Sequence, residues 1–323
     1  MLRYHDRVYG EVVLDDPGVL GIIATPTFQR LKGVRQAGPS VLAFPFKTVT
    51  RYEHSLGVHH LLTLLGASRR ERIAGLLHDI SHTAFSHAVD FLHHTEEQAH
   101  HESIKPRFLH RPDLAAAIRA AGFEPDDFVD DTIFPHLEQP LPKLCADRVD
   151  YFLRDSLACG VTRPEEAARD LMHLTVHNGL LAMTDPDVAR DVAARFAIMN
   201  RNWWAGPIEA FIYNEFSEVL RRGLDLGAIN DDDLHGEDDP ALAKLRNSGD
   251  PEILRRLDRV AQPSPDEVAA YLPRITPKTR WLDPPVILDN QLVPLSCHPA
   301  GRPRLATTTA ALRSRPTVRT HNA

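Results

Sequence analysis

Apolar residues recur at helical spacing through most of the first half of the chain. Phe28, Leu31 and Val34 form one short series, and Leu56, Val58, Leu61, Leu62 and Leu65 form a longer one that stops at Gly66. Ser68 followed by Glu71 predicts a capping box, and the helix it opens carries Ile73, Ala74, Leu76 and Leu77 straight into His78. Further helices are predicted at 85–94, 99–109, 112–121 and 141–157, then at 186–203 and 207–226. Alternation with period two appears in HLTVHNGLLAMT (173–184), around Asn178-Gly179, and in PVILDNQLVPL (285–295), around Asp289-Asn290; both predict small hairpins. The pattern therefore predicts an all-α fold with one or two small β-hairpins.

The character of the chain changes after Leu226. AINDDDLHGEDDP (228–240) reads as an acidic, flexible crossing, Pro-rich pieces begin at Pro263, and the last stretch is poor in apolar residues and rich in Thr, Arg and Pro. The expected organisation is a core over 1–157, a hairpin and helices completing that domain over 158–227, a variable C-terminal region over 228–300, and a disordered tail over 301–323.

Composition narrows the function classes. With 323 residues and 43% apolar content, the chain is long enough to bury a sizeable core. The net charge of −7 disfavours nucleic acid as a partner, since that surface needs basic groups to displace phosphate counterions. Three cysteines, far apart and without CxxC spacing, fit neither a disulfide framework nor a Cys-built zinc site. The N-terminus carries charges at Arg3, Asp6, Arg7 and Glu11, and no run approaches the ~18 apolar residues of a membrane span. A cytoplasmic protein that makes no membrane contact is the expectation. Histidine stands out: 11 of 18 fall between His54 and His110.

Two His-Asp pairs occur, and chance alone accounts for about that number. His5-Asp6 lies near a polar terminus. His78-Asp79 ends an apolar helix, where a neutral imidazole and a carboxylate can converge on a divalent first-row metal. His54, opening one helix, and Asp147, on another, are candidate partners. Asp147, Tyr151 and Asp155 recur every four residues and form one stripe; Asp150 and Arg154 form the adjacent one.

The order His54, His78-Asp79, Asp147 resembles the H…HD…D pattern of the HD superfamily of metal-dependent phosphohydrolases. The finer resemblance is to its deoxynucleoside-triphosphate triphosphohydrolase branch. It is carried by DRVYGEV (6–12), FQRLKGVRQAG (28–38), RYEHSLGVHHL (51–61), AGLLHDISHTAFSH (74–87) and ADRVDYFLRDS (146–156), with a thinner match at TPKTRWLDPPV (276–286). Ser81 and Ala84 stand where those motifs usually have Gly and Pro, so an altered loop geometry is expected.

The resemblance implies an HD-domain helical fold and one divalent transition metal (Mn, Fe, Ni, Co or Zn) held by His54, His78, Asp79 and Asp147. It implies His82 as catalytic acid/base, and His87 and His101 as phosphate-facing histidines. Arg51 and Arg148 would hold phosphate oxygens and make the pocket locally positive; Tyr151 and Asp155 would hold the sugar and Gln36 its 3′-hydroxyl. Trp203-Trp204 reads as a packing or oligomer contact, and relatives that assemble imply a homo-oligomer. The implied reaction is dNTP hydrolysis to deoxynucleoside plus triphosphate. The alternatives are a phosphatase acting on a nucleotide or nucleotide-like monophosphate, and a non-catalytic nucleotide sensor.

Overall fold

The computed structural model describes residues 1–92, 100–272 and 278–298. An N-terminal antiparallel hairpin, β1 (Leu2–Asp6) and β2 (Gly10–Leu14), sets Leu2 opposite Leu14 and Asp6 opposite Gly10. Short helices α1 (Pro17–Ile23) and α2 (Pro26–Gln29) lead through 3₁₀ turns to α3 (Arg51–Leu64) and α4 (Arg69–Leu77). Then come α5 (Ala88–Leu92), α6 (His100–Leu109), α7 (Pro112–Ala120), α8 (Ala146–Ala158) and α9 (Pro164–Met172). Strands β3 (Leu174–His177) and β4 (Leu180–Met183) precede α10 (Pro186–Met199) and α11 (Pro207–Asp225). The chain continues through α12 (Asp231–Leu234), α13 (Asp238–Asn247), α14 (Pro251–Ala261) and α15 (Pro265–Ala270) to β5 (Pro285–Leu288) and β6 (Gln291–Pro294).

Eight of these helices start on proline. Proline has no N–H to waste at the first helical position and is fixed near helical φ, which is where much of the chain's proline is used. Side-chain caps do the same work at α3, α4 and α10, where Thr50, Ser68 and Asp185 accept from backbone N–H groups of the first turn. The predicted box at Ser68 is only half formed. Ser68 accepts from Glu71 N, but the Glu71 carboxylate turns away to the backbone N–H groups of His136 and Leu137.

Two hydrophobic cores organise the molecule. One joins α3, α4, α7, α8 and α10 through residues such as Val58, Leu62, Leu76, Ile118, Phe152 and Phe196. The other joins α5, α11, α13 and α14 through Phe91, Phe211, Phe216, Leu245 and Ile253. The segment after α4 runs from the first core, at Ile80, to the second, at Ala84 and Phe85. It carries His78 to His87 along the seam.

The predominantly helical fold with small sheets agrees with the sequence pattern, and both hairpins form. They also join: β4 pairs parallel with β5 at Met183 and Val286, giving one four-stranded sheet β3-β4-β5-β6. The N-terminal hairpin is an addition that the pattern does not announce. The helix expected at 141–157 begins only at Ala146; Leu141 precedes Pro142, and the residue before a proline is disfavoured in the helical region. The one expected at 85–94 begins at Ala88, after Phe85 and Ser86 adopt φ of 64° and 50°. The helix expected at 186–203 gives way after Met199 to a π-helical turn, Asn200–Trp204. The acidic crossing at 228–240 is built structure: α12 and the start of α13 lie there, with Leu234 and Asp238 buried. The tail at 301–323 lies outside the described residues. Among those residues, no helix is long and apolar enough to cross a membrane.

α3 packs against both α4 and α8. At Gly57 the approach is so close that a Cβ would stand 1.9 Å from Arg154 Nη2 and 2.2 Å from Asp150 Oδ2. Alanine is the better helix former by roughly 1 kcal/mol, yet Gly57→Ala is expected to lower stability by about 1–3 kcal/mol through overpacking. A thermal midpoint equal to or above the parent's would contradict this packing. Further along α3, His59 is 5% exposed, and burial, followed by the charge of Arg72, pushes its imidazolium down to about 4. The unfolded chain takes up this proton near pH 6.5, so stability falls as pH drops from there towards 4. His59→Phe is expected to lose less stability across that window, by up to about 3 kcal/mol, as read from denaturant unfolding at several pH values.

Candidate metal centre and active site

Three helix ends meet at one point. The Thr50 cap starts α3 so that Arg51 and His54 lie on its first turn; His78 is the C-cap of α4 and Asp79 follows; Asp147 lies on the first turn of α8. His54 Nε2 lies 3.1 Å from His78 Nε2 and 3.0 Å from Asp147 Oδ1, and His78 Nε2 is 3.5 Å from that same oxygen. The Asp79 carboxylate comes within 3.5 Å of His78 Nε2 and 3.7 Å of His54 Nε2.

The other ring nitrogens fix the tautomers. His78 Nδ1 donates to the Gly75 carbonyl at 2.8 Å, and a carbonyl can only accept. His54 Nδ1 donates to Asp150 Oδ1 at 2.7 Å. Both Nε2 atoms of the neutral rings therefore point lone pairs at each other with two carboxylates alongside. That arrangement is stable only around positive charge. For His54, burial opposes the charge, but hydrogen bonds with Asp147 and Asp150 overcome it and push the imidazole up to about 10. For Asp147, burial is likewise outweighed by its bonds to His54 and His78, which hold it well below the usual carboxylate range. Two imidazoles and two carboxylates fit a divalent first-row ion, which would take the place of that proton.

Beside this cluster stand three more histidines. His82 stacks on His101 with centroids 4.0 Å apart, and His87 meets His82 edge-on at 5.0 Å. His82 Nε2 is 3.3 Å from Asp79 Oδ1, and His87 Nδ1 is 2.8 Å from Asp90 Oδ2. Burial, then the charge of Arg51, holds His82 well below its usual range; burial, then His87, pushes His101 down to about 3. Both are neutral near pH 7.

The loop that presents His82 and His87 is clamped from several sides. Arg30 donates to the carbonyls of Ile80 (2.7 Å) and His82 (2.8 Å). Ala84 N donates to Leu234 O, Phe85 N to Asp238 Oδ1, and Ser86 Oγ to Arg35 O. Successive non-glycine residues at positive φ carry strain, which persists where surrounding contacts over-determine it.

All twelve residues singled out from the sequence line one cavity of about 990 Å³. Their free groups differ, however. Arg51 is engaged by Asp79 (2.7 Å) and Ser86, and Arg148 by the carbonyls of Lys143 (2.5 Å) and Gln139 (3.0 Å) and by Glu138. Tyr151 packs edge-on against Trp204, whose Nε1 donates to Asp155 Oδ2 at 2.9 Å. Gln36 Oε1 is buried without a partner among the described residues. The expectation of a locally positive pocket is not met. Eight carboxylates and seven lysines and arginines line it, and four of those cations come with their own acids: Arg51 with Asp79, Lys47 with Glu209, Lys105 with Asp131, Arg148 with Glu138.

Several lining residues lie outside the set that the sequence suggests. Lys105 follows His101 by four residues on α6, a spacing that could have flagged it. Trp203 and Trp204 reach the cavity because the π-helical turn redirects them, and nothing in their sequence announces that turn.

Comparison with known proteins accords with this geometry. The HD domain family matches residues 51–155. The chain is 34% identical over 297 residues to the uncharacterized protein YdhJ of Bacillus subtilis, covering 90% of each. It is 32% identical over 290 residues to the metal-dependent phosphohydrolase cns2 of Cordyceps militaris, covering 87% of this chain and 84% of that one. A 105-residue segment is 37% identical to the deoxynucleoside triphosphate triphosphohydrolase SAMHD1 of Danio rerio, covering 28% of this chain and 17% of that protein. In fold, a crystal structure of a hypothetical protein from Aquifex aeolicus superposes with a TM-score of 0.66 over 91% of each chain, at 19% identity. Matches at this identity over nearly the whole length, with the family's own segment holding the histidine and aspartate cluster, make the chain a member of the HD superfamily of metal-dependent phosphohydrolases.

Proposed function

We propose that the protein hydrolyses a nucleotide phosphoester, and that its reaction is conversion of a dNTP to a deoxynucleoside and triphosphate. The observation that carries this reading is the adjacency, within one nucleotide-sized cavity, of the His54/His78/Asp79/Asp147 cluster and the His82/His87/His101 wall. The SAMHD1-like segment supports the dNTP form.

In this reading His54, His78, Asp79 and Asp147 hold the divalent ion, which when bound supplies Lewis acidity towards the phosphoryl group. The oxygen of water forms a bond to the α-phosphorus, and the bond from that phosphorus to the sugar 5′-oxygen breaks. His82 manages the proton that the leaving oxygen must gain; being neutral in the free protein, it first takes up that proton as negative charge arrives beside it. His87, His101, Arg51 and Arg148 face the phosphates, while Tyr151, Asp155 and Gln36 face the sugar.

One observation favours a second form. Carboxylates outnumber cations along the cavity, and a monophosphate demands less compensating charge than a triphosphate. Product analysis separates the two. Metal-loaded protein is incubated with dNTPs, NTPs and nucleoside monophosphates; tripolyphosphate from dNTPs is expected, and orthophosphate from monophosphates alone would replace the first form by the second. No turnover with Mn, Fe, Co, Ni, Zn or Mg, with nucleotide binding intact, would leave a sensor.

Asp147→Ala is expected to lose both bound metal and activity, whereas His82→Ala keeps the metal and loses turnover by about 10²–10⁴-fold. A fully active Asp147→Ala protein would contradict the site. The acid excess also sets an order of binding: inorganic phosphate should bind metal-loaded protein at least tenfold more tightly than metal-free protein, by calorimetry. Equal affinities would contradict the charge inventory.

A further inference from the structure

The turn of the N-terminal hairpin reaches the metal centre through a buried chain of charges. Asp150 accepts the His54 Nδ1 proton on Oδ1, and its Oδ2 accepts from the Tyr9 hydroxyl at 2.7 Å. Arg154 donates through Nε to Asp150 Oδ1 at 2.6 Å and through Nη2 to Asp6 Oδ2 at 2.8 Å. The other oxygen of Asp6 accepts the backbone N–H groups of Val8 and Tyr9, which shapes the turn that delivers Tyr9. The side chains of Asp6, Asp150 and Arg154 are completely buried.

A buried ion pair built only for cohesion has no reason to include a metal-cluster histidine. This network ends on one, and on the ring nitrogen that decides its tautomer. A second carboxylate or carbonyl on a ligating histidine fixes ring orientation and raises ligand basicity. How firmly Asp150 does so depends on what else it accepts. Tyr9 holds one oxygen in place, and Asp6 draws the Arg154 guanidinium away from sole possession of Asp150. Asp6, Asp150 and Arg154 together carry one net negative charge beside His54, which favours a cation on the far side of the ring.

We propose that Asp6 and Tyr9 are positioning residues for the metal centre, acting through Arg154 and Asp150 on the ring of His54. The proposal rests on the assignment of His54 as a metal ligand. It gives the DRVYGEV segment a role that its distance in sequence from the His-Asp motifs conceals.

The test uses the full chain with Tyr9→Phe, Asp6→Asn and, as control, Tyr4→Phe, which removes from the same hairpin a buried hydroxyl that has no hydrogen-bond partner among the described residues. Co²⁺ affinity is measured by competition with a chromophoric chelator, together with the visible Co²⁺ spectrum and the thermal midpoint of the metal-free protein. Tyr9→Phe is expected to weaken Co²⁺ binding by about tenfold and to shift the Co²⁺ bands. Asp6→Asn, where it folds, should weaken binding at least as much, and Tyr4→Phe should change neither readout. Parent-like affinity and spectrum in Tyr9→Phe would overturn the proposal whatever happens to the midpoint. Failure of the parent to bind Co²⁺, Mn²⁺, Ni²⁺ or Zn²⁺ would instead overturn the metal assignment beneath it.

Discussion

The hydrogen bond from His54 Nδ1 to Asp150 is the constraint on which the site turns. It fixes one tautomer, and with His78 fixed in the same sense by the Gly75 carbonyl, two imidazole lone pairs face each other 3.1 Å apart. Such a contact in the interior is unfavourable without positive charge between the rings. Every element that shapes it is a helix end: the start of α3, the end of α4, the start of α8. Helix ends are where a side chain can leave a packed apolar face and still be held by it. Gly57 permits the closeness of α3 and α8 on which the geometry depends.

The second constraint is the seam between the cores. The segment from His78 to His87 is packed into one core at Ile80 and the other at Phe85. Its left-handed residues are held by groups from distant parts of the chain. Arg30 is buried with no carboxylate partner among the described residues; burial pushes it down to about 9, and it spends its donors on loop carbonyls. Asp238, pushed up to about 6 by burial, accepts from Phe85 and Arg35. The 228–240 segment thus belongs to the support of the histidine loop, although its acidic composition suggests a solvated crossing.

That contrast shows what the sequence makes legible. Local rules work where the signal is local: the Asn178-Gly179 and Asp289-Asn290 turns, the Ser68 cap, and the apolar stripe ending at His78. The candidate metal cluster is legible because family motifs tie His54, His78-Asp79 and Asp147 to one another across distances that periodicity cannot bridge. What stays hidden depends on tertiary placement. Asp238 reads as one of many acids until Phe85 N is found beside it. Trp203 and Trp204 read as packing until a π-helical turn redirects them. The N-terminal hairpin is short, and the buried register of Asp6 against Gly10 cannot be distinguished by pattern from an exposed polar terminus.

Charge makes the same point about function. The sequence shows a global excess of acid and leads one to expect that Arg51 and Arg148 reverse it locally. The cavity repeats the global balance instead, because Lys47, Arg51, Lys105 and Arg148 are each desolvated beside a counter-charge. Lys105 and Lys47 are almost fully buried with Asp131 and Glu209, so they cannot act as free phosphate binders without releasing those partners. Lys143, Lys278 and Arg280 line the cavity with no ion pair to an acid among the described residues, and on the proposed function an ion at the His54/His78 cluster would add to the positive charge a phosphate meets. Arg51 donates to Asp79, the carboxylate that lies beside His78 in the candidate cluster. On the proposed function, Asp79 would be shared between an ion held at the cluster and Arg51, and Arg51 would then be freer to meet a phosphoryl oxygen. The pairing of Arg51 with Asp79 would in that case link occupancy of the cluster to the binding of an anion.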